Sequence, residues 1–362
     1  MTALSIRFVI VVIGNPIAYA ADMTNPLPLK SEKPSRTTLR DVAILAGVSE
    51  ISVSRVMRNA PNISDSLREK VMTAANALSY TPNRVAGALK NQTSNLVAVV
   101  LPSMSNDVFP SVLDGIETVL NEHGLHAVLG VSEYDSEREL RVVRELLSWS
   151  PMGIILTGLH HSDHIRGMIA QLDIPVVQIM DVEGDPIGSA VGVSHSVAAV
   201  AAADYLHGRG YQKFGYIGAW SERPGRSRAR RLAFERRLAE LGTPLVASHI
   251  SKDRSSAIVG SEATKALLSA HPNIDCLFYA NDDLALGGLF HAMRAGIDVP
   301  GKLGLMGFNG IEIGKATPLP LTSIETPRFE MGEEAARLLL SQSSEGFRVV
   351  DLSFKLVEGG TT

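Results

Sequence analysis

The chain has 362 residues, 45% of them hydrophobic and 20% charged, with a net charge of −4 and a single cysteine. That length exceeds what one hydrophobic core serves, so two or three domains are expected. One thiol excludes internal disulfides and multi-cysteine metal sites, and Cys276, within DCLFYA, is expected as a small core residue.

The charge is unevenly spread. Arg36 to Gln92 carries 8 Lys+Arg against 4 Asp+Glu, while Thr93 onward carries 23 against 32. A small cationic head on an anionic body suits a module drawn to phosphate.

Residues 1–36 form an N-terminal extension. Arg7, the run FVIVVIG and Ala18-Tyr19-Ala20 imitate a secretory signal, but export would part the cationic head from phosphate-rich partners inside the cell. Met23 opens a polar, proline-containing segment, so residues 1–22 are expected to lie upstream of the true start. The apolar run is too short to span a bilayer, and no membrane partner is expected.

Residues 37–82 read as a helix-turn-helix domain. Thr38 is an N-cap with Asp41 three residues on, and Leu39, Val42, Ala43 and Ala46 form an inner stripe. Gly47 sits where a helix stop needs positive φ, and Ser49 caps the next helix. There Val53, Val56 and Met57 point inward, which leaves Glu50, Ile51, Ser54 and Arg55 on the opposite face, a recognition helix for the major groove. A third helix is expected over about 65–79 and stops at Tyr80-Thr81-Pro82. Residues 83–94 follow as a short basic connector, weakened as a helix by Gly87 and suited to folding on DNA.

From Leu96 the pattern is strand, helix, strand, helix, with unalternating apolar strands of the buried parallel kind. LVAVVLP (96–102), AVLGVS (127–132), GIILTG (153–158) and VVQIMD (176–181) form a first series. AVGVS (190–194), FGYIGA (214–219), CLFYAN (276–281) and LGLMGFN (303–309) form a second. The expected fold class is α/β: a three-helix head, then two doubly wound lobes with a ligand cleft beyond the carboxyl ends of the strands. No Walker A loop or strand-following G-x-G-x-x-G appears, so no cofactor is expected. His160, His161 and His164 invite a metal, but without a clear third ligand or a cysteine they read as a solvated loop, and no metal site is expected. No nucleophile with a base and no carboxylate pair stands at convincing positions, so an enzyme is not expected.

TLRDVAILAGVSEISVSRVMRN, SYTPNRVAGALKNQTS, YANDDLALG and LMGFNG together resemble the lactose-repressor/galactose-repressor family of bacterial transcription regulators over about residues 37–360. LLSWSPMGIILTG and GFNGIEIG are most similar to its gluconate-operon branch. The resemblance implies that Glu50, Ile51 and Arg55 read base edges, with Arg55 suited to guanine, and that Thr38, Ser49, Ser54 and Asn59 contact phosphate or base. It places Asn83, Arg84, Val85, Ala86 and Leu89 in a hinge helix whose Leu89 wedges into the minor groove. It implies an operator-bound homodimer with body 95–362, one lobe about 95–192 plus 323–343 and the other about 193–322 plus 347–360. No C-terminal heptad helix follows, which favours dimer over tetramer.

The same resemblance gives Arg230 the position that clamps a ligand oxygen, with Arg228 on the same approach, and gives Asn281 and Asp282 the sugar hydroxyls. Ser103, Asn106 and Phe109 line the other wall, or equally form a capped strand-helix turn. Asn309 stands where sugar-binding relatives carry an aspartate, and removing that carboxylate favours an anion. SKDRSS (251–256) lacks the aromatic residue that relatives stack on a ring. An arginine cluster (Arg223, Arg226, Arg228, Arg230) therefore points to a sugar acid such as gluconate or a ketogluconate, while Arg236 and Arg237 solvate a helix face. A regulator of a neutral sugar and a periplasmic sugar-binding protein are the alternatives.

Overall fold

The computed structural model describes residues 10–12, 37–58, 60–81, 94–105, 108–219, 225–341 and 346–362. The head and the body are separate compact units.

In the head, α1 (Leu39–Ala46), α2 (Glu50–Met57) and α3 (Asp65–Ala77) begin at Thr38, Ser49 and Ser64, whose hydroxyls accept backbone N–H groups three residues on. Thr38 forms a full capping box: its N–H donates to Asp41 Oδ2 over 2.8 Å while its Oγ accepts from Asp41 N. The Thr38 N–H and the Thr38 hydroxyl, which also donates to Asp41 Oδ2 over 2.7 Å, hold the Asp41 carboxyl below its ordinary pKa. Gly47, at φ 64°, ends α1 in the left-handed region that a side chain adopts only with strain. Val42, Ala43, Val53, Val56, Val71, Ala74 and Ala75 fill the core between the helices. That is enough for a head of this size because every helix contributes one apolar stripe and caps its own start.

The body holds two sheets. In the first, β1 (Ile10–Val12), β2 (Leu96–Leu101), β3 (His126–Val131), β4 (Gly153–Thr157), β5 (Val176–Ile179), β6 (Ser189–Gly192) and β12 (Val349–Asp351) run in the order β1-β3-β2-β4-β5-β6-β12. Every pairing there is parallel. In the second, β7 (Phe214–Ala219), β8 (Ala247–Ser251), β9 (Cys276–Tyr279), β10 (Gly304–Asn309), β11 (Thr322–Glu325) and β13 (Lys355–Val357) run in the order β13-β11-β10-β9-β7-β8. Only β13 is antiparallel to its neighbour. Helices α4 (Val108–Glu122), α5 (Ser136–Leu147) and α6 (Asp163–Ile169) accompany the first sheet. Helices α7 (His195–Gly208), α8 (Arg226–Glu240), α9 (Ala257–Ala270) and α10 (Asp282–Ala295) accompany the second, and a short α11 (Glu312–Lys315) precedes β11.

The chain crosses between lobes after β6, after β11 and after β12. After β11 it enters α12 (Arg328–Ser341), which lies along α4 of the first lobe. Backbones nearly touch there: a Cβ on Gly115 would sit 2.1 Å from the Phe329 carbonyl, and one on Gly332 would sit 2.0 Å from the Val112 carbonyl. Two details correct the sequence expectation. Residues 189–192 belong to the first sheet and do not open the second, because their backbone pairs with β5. The final return to the second lobe comes at 352–354 and not near 345, because Val349–Asp351 first pairs with β6. Exposed Val349 and Asp351 flank half-buried Val350 there, so a three-residue edge strand leaves little apolar signal.

Of the N-terminal extension, only Ile10–Val12 is described, as a strand paired parallel with β3. Among the described residues no helix is long and apolar enough to cross a membrane.

Candidate functional site: a recognition face and an interlobe cleft

On α2, Val53 and Val56 are buried, while Glu50, Ile51 and Arg55 are exposed and Ser54 is half-buried. Ile51 is the most exposed large apolar side chain in the whole described structure, at 73%. An isoleucine on the first turn of a recognition helix, one position from a carboxylate, offers apolar contact to a thymine methyl beside an acceptor for a base amino group. Arg55 swings its guanidinium toward the loop before α3, where Nη2 donates to the Pro61 carbonyl over 3.3 Å. Thr38 and Ser49 spend their hydroxyls on caps. Asn59 and the hinge positions Asn83, Arg84, Val85, Ala86 and Leu89 lie outside the described residues.

The carboxyl ends of the two sheets face each other across the body. Arg230, on α8, is the centre of this cleft. Its Nη2 donates to the Ala280 carbonyl over 2.8 Å, and its Nη1 bonds to His195 Nδ1 over 2.9 Å. Its guanidinium carbon lies 4.2 Å from the centre of the Phe308 ring. The guanidinium is buried, and burial lowers its pKa to about 10, so it keeps its charge at neutral pH. A guanidinium can only donate, so His195 Nδ1 must accept and Nε2–H must donate. The partner of Nε2 is the Met180 carbonyl, 2.8 Å away. The imidazole is thus neutral with both nitrogens used, and burial together with Arg230 and Arg226 holds its pKa well below the ordinary value. Met180 belongs to the first lobe and Ala280 to the second, so the chain Met180–His195–Arg230–Ala280 spans the cleft floor.

Arg226 lies one helical turn before Arg230 and shares its face. Its Nη1 is buried without a hydrogen-bond partner among the described residues, as is Arg230 Nε. From the first lobe, Asp181 follows β5. Burial raises its carboxyl pKa against the opposing pull of the Glu183 N–H and of Arg226. The cleft therefore holds two cations on one helix, a neutral histidine and a carboxylate opposite. That combination can pair an anion with the arginines while accepting hydroxyl hydrogen bonds on the other wall.

The structure gathers some of the expected effector residues and removes others. Arg228 is exposed: two residues from Arg230, it points off the far side of the helix. Asp282 is buried, and its Oδ2 accepts from Ile311 N over 2.8 Å while its Oδ1 accepts from Ser323 Oγ over 2.7 Å. It fastens the turn after β10 and is no open ligand group. Asn281 caps α10 and exchanges hydrogen bonds with Ser255 at the cleft rim. Asn309 ends β10 at φ 113°, and its carbonyl accepts from Arg328 at the start of α12. Phe109 is a core residue of the first lobe. Ser103 is half-buried and hydrogen-bonded to Ser105. Asn106 and Arg223 are not among the described residues.

Sequence reasoning counted Arg226 in the arginine cluster without singling it out as the same-face partner of Arg230, and it did not find Asp181 or His195. The four-residue spacing of the arginines and the placement of Asp181 just after a predicted strand were available signals; His195 became legible only once its two partners met in space. His161, read as part of a solvated loop, is instead built in. Its Nδ1 lies 2.9 Å from Glu139 Oε1 and its Nε2 lies 3.0 Å from the Gly158 carbonyl.

A helix-turn-helix head followed by a two-lobed α/β body is the architecture of a ligand-responsive transcription regulator. Residues 38–83 match the bacterial regulatory proteins of the lacI family, and residues 94–358 match the periplasmic binding proteins and sugar-binding domain of the same family. The chain belongs to the LacI family. It is 37% identical over 317 residues to the HTH-type transcriptional regulator GntR of Pseudomonas aeruginosa, covering 86% of this chain and 92% of that protein. A LacI-family transcriptional regulator from Silicibacter pomeroyi superposes with a TM-score of 0.84 at 40% identity, covering 90% of this chain and 99% of that one. The lac repressor dimer bound to operator and an anti-inducer superposes with a TM-score of 0.78 at 25% identity, covering 90% of this chain and 99% of that one.

Proposed function

We propose that this regulator is a cytoplasmic homodimeric repressor of sugar-acid catabolism, released from its operator when gluconate or a similar aldonate enters the interlobe cleft. The observation that carries this reading is the convergence of Arg226 and Arg230 from one face of α8. A carboxylate there meets two cations in a dry site, where such pairing is far stronger than in water. Asp181 supplies an acceptor for the polyol tail, and Asn309 adds no further negative charge.

Glu50, Ile51 and Arg55 read the operator bases, and the hinge positions Asn83, Arg84, Val85, Ala86 and Leu89 engage the minor groove. The protein is not an enzyme in this reading. His195, the most central titratable group of the cleft, has both nitrogens engaged and resists protonation, so it serves neither as base nor as acid. Effector and operator are linked because each favours a different lobe arrangement, and each weakens the other by the same factor.

Titration of the protein–operator complex with gluconate and, separately, with glucose tests the proposal. Gluconate is expected to dissociate the complex and glucose to leave it intact. Equal response to both sugars, or calorimetric gluconate binding unaffected by Arg226→Ala, overturns it.

A further inference from the structure

The loop after β3 carries an unusual turn. Ser132 to Asp135 closes on itself through the Asp135 N–H and the Ser132 carbonyl, 3.0 Å apart. Its two central residues, Glu133 at φ 53° and Tyr134 at φ 59°, both occupy the left-handed region. Glycine or asparagine adopts that conformation most easily, and two consecutive long side chains there are costly. Such strain persists where the side chains are needed.

The Glu133 side chain reaches the opposite lobe. Glu133 Oε2 accepts from Arg254 Nη2 over 2.8 Å, and Arg254 lies in the loop after β8 of the second sheet. The same oxygen is held from its own lobe by Arg138 Nη1 at 3.1 Å. Arg138 is itself fixed, because its Nε donates to the Val131 carbonyl over 2.9 Å. Beside Arg254, Ser255 is tied to Asn281 on the cleft rim. Tyr134, the next residue, is 42% exposed and within electrostatic reach of Arg226 and Arg230 of the second lobe.

We propose that the Glu133–Tyr134 turn is the clasp of the effector cleft. Glu133 fastens the first lobe to Arg254, and Tyr134 is thereby held against the anion that Arg226 and Arg230 bind. This rests on the sugar-acid reading for its ligand, but the fastening itself does not. Partly exposed ion pairs are weak singly, so the clasp biases closure and does not lock it. Effector is then gripped from both lobes only while the pair is intact.

The test uses the full-length protein with gluconate as probe and two nitroxide labels, placed by Arg141→Cys on α5 and Lys265→Cys on α9. Both positions are exposed, and buried Cys276 is shielded from the label. Electron–electron resonance distances between the labels are expected to broaden and lengthen in Glu133→Arg and in Arg254→Glu. They should return to the parental distribution when both changes are combined. Gluconate affinity should fall about three- to fivefold in each single variant, recover in the double variant, and fall in Tyr134→Phe with no change in distance. Glu133→Gly separates clasp from scaffold: relief of the left-handed strain should leave thermal stability equal or higher while affinity falls. Unchanged distances in both single variants, or a double variant no better than either, overturns the clasp. If the parent protein does not bind gluconate, the sugar-acid reading fails and the role of Tyr134 with it, while the distances still decide the fastening.

Discussion

The head and the cleft solve opposite problems with the same residue types. On α2 the polar and apolar side chains that face outward have few partners: Ile51 is left bare and Glu50 is exposed. In the cleft most groups are already engaged, and Arg230 alone meets His195, Ala280 and Phe308. A surface that must accept many DNA registers before it finds one stays uncommitted until contact. On the sugar-acid reading, a cavity that recognises one small anion is organised beforehand, because ordering costs met in the fold are not charged again on binding. Substitutions should therefore uncouple: head variants change DNA affinity with stability intact, and cleft variants change both stability and ligand affinity.

The largest effect is expected from Arg230→Ala. It strips the donor from His195 Nδ1 and from the Ala280 carbonyl and removes the cation over Phe308. Two buried acceptors left unsatisfied, with lost ring contact, should cost about 3–4 kcal/mol in denaturant unfolding. Gluconate binding should vanish from calorimetry. A variant as stable as the parent would show that the hydrogen bonds of Arg230 carry no structural role.

Next comes the head. Arg55→Ala should weaken operator binding by about 1–3 kcal/mol, read by fluorescence anisotropy at fixed salt. Gluconate affinity and the unfolding midpoint should stay at parental values. A matching loss of stability would place Arg55 in the scaffold through Pro61 and remove the contrast between the two regions.

That contrast also governs how much of each region is legible in the sequence. The head was legible almost to the residue, because caps, the left-handed Gly47 and a 3.6-residue apolar period are local signals. The two-sheet body was legible in its long strands, such as Leu96–Leu101, where continuous burial leaves continuous hydrophobicity. Val349–Asp351 was placed in the wrong lobe because a short exposed edge strand carries its identity in pairing and not in composition. The cleft was legible only in part. Arg230 stood out, but Arg228 was preferred over Arg226, although positions two apart on a helix face opposite ways. Asp282 reads as a sugar contact in sequence, which shows a carboxylate at a strand end and cannot show Ser323 and Ile311 closing on it.

Asp282→Asn sharpens the distinction between a group that touches effector and one that holds the wall. The amide keeps one acceptor for Ile311 N or Ser323 Oγ and places a donor where the other acceptor was. A loss of about 1–2 kcal/mol in stability is expected, with gluconate affinity reduced less than by Arg226→Ala. The reverse order would return Asp282 to the ligand.

Acidity probes the same floor. His195 has a folded pKa well below its ordinary value of 6.5, so the unfolded chain takes up a proton that the folded chain refuses. Stability from this group is full above pH 6.5 and declines as pH falls below it. His291 is shifted the same way by burial and by Arg294, so His291→Asn is the background for the comparison. In that background, His195→Gln should lower stability at pH 7 yet flatten the remaining decline just below pH 6.5, measured as melting temperature against pH. An equally steep decline would mean that His195 is protonated in the folded protein, which its hydrogen bond from Arg230 forbids.

The smallest effect is expected from Arg228→Ala, and it tests the geometry of α8 more severely than the large ones do. Arg226, Arg228 and Arg230 look alike in sequence, and electrostatics alone would rank all three as attractors of an anion near the same strand end. The helix sorts them. At about 100° per residue, Arg228 stands about 200° around from Arg230, while Arg226 returns to within about 40° of it. Arg228 is accordingly exposed, with its charge screened by water. Its removal should change unfolding by less than about 0.5 kcal/mol and gluconate affinity by less than about twofold, the residue of a screened charge. A tenfold loss would require Arg228 to reach the ligand, and so would require the cleft face of α8 to lie half a turn from where the bonds of Arg230 put it.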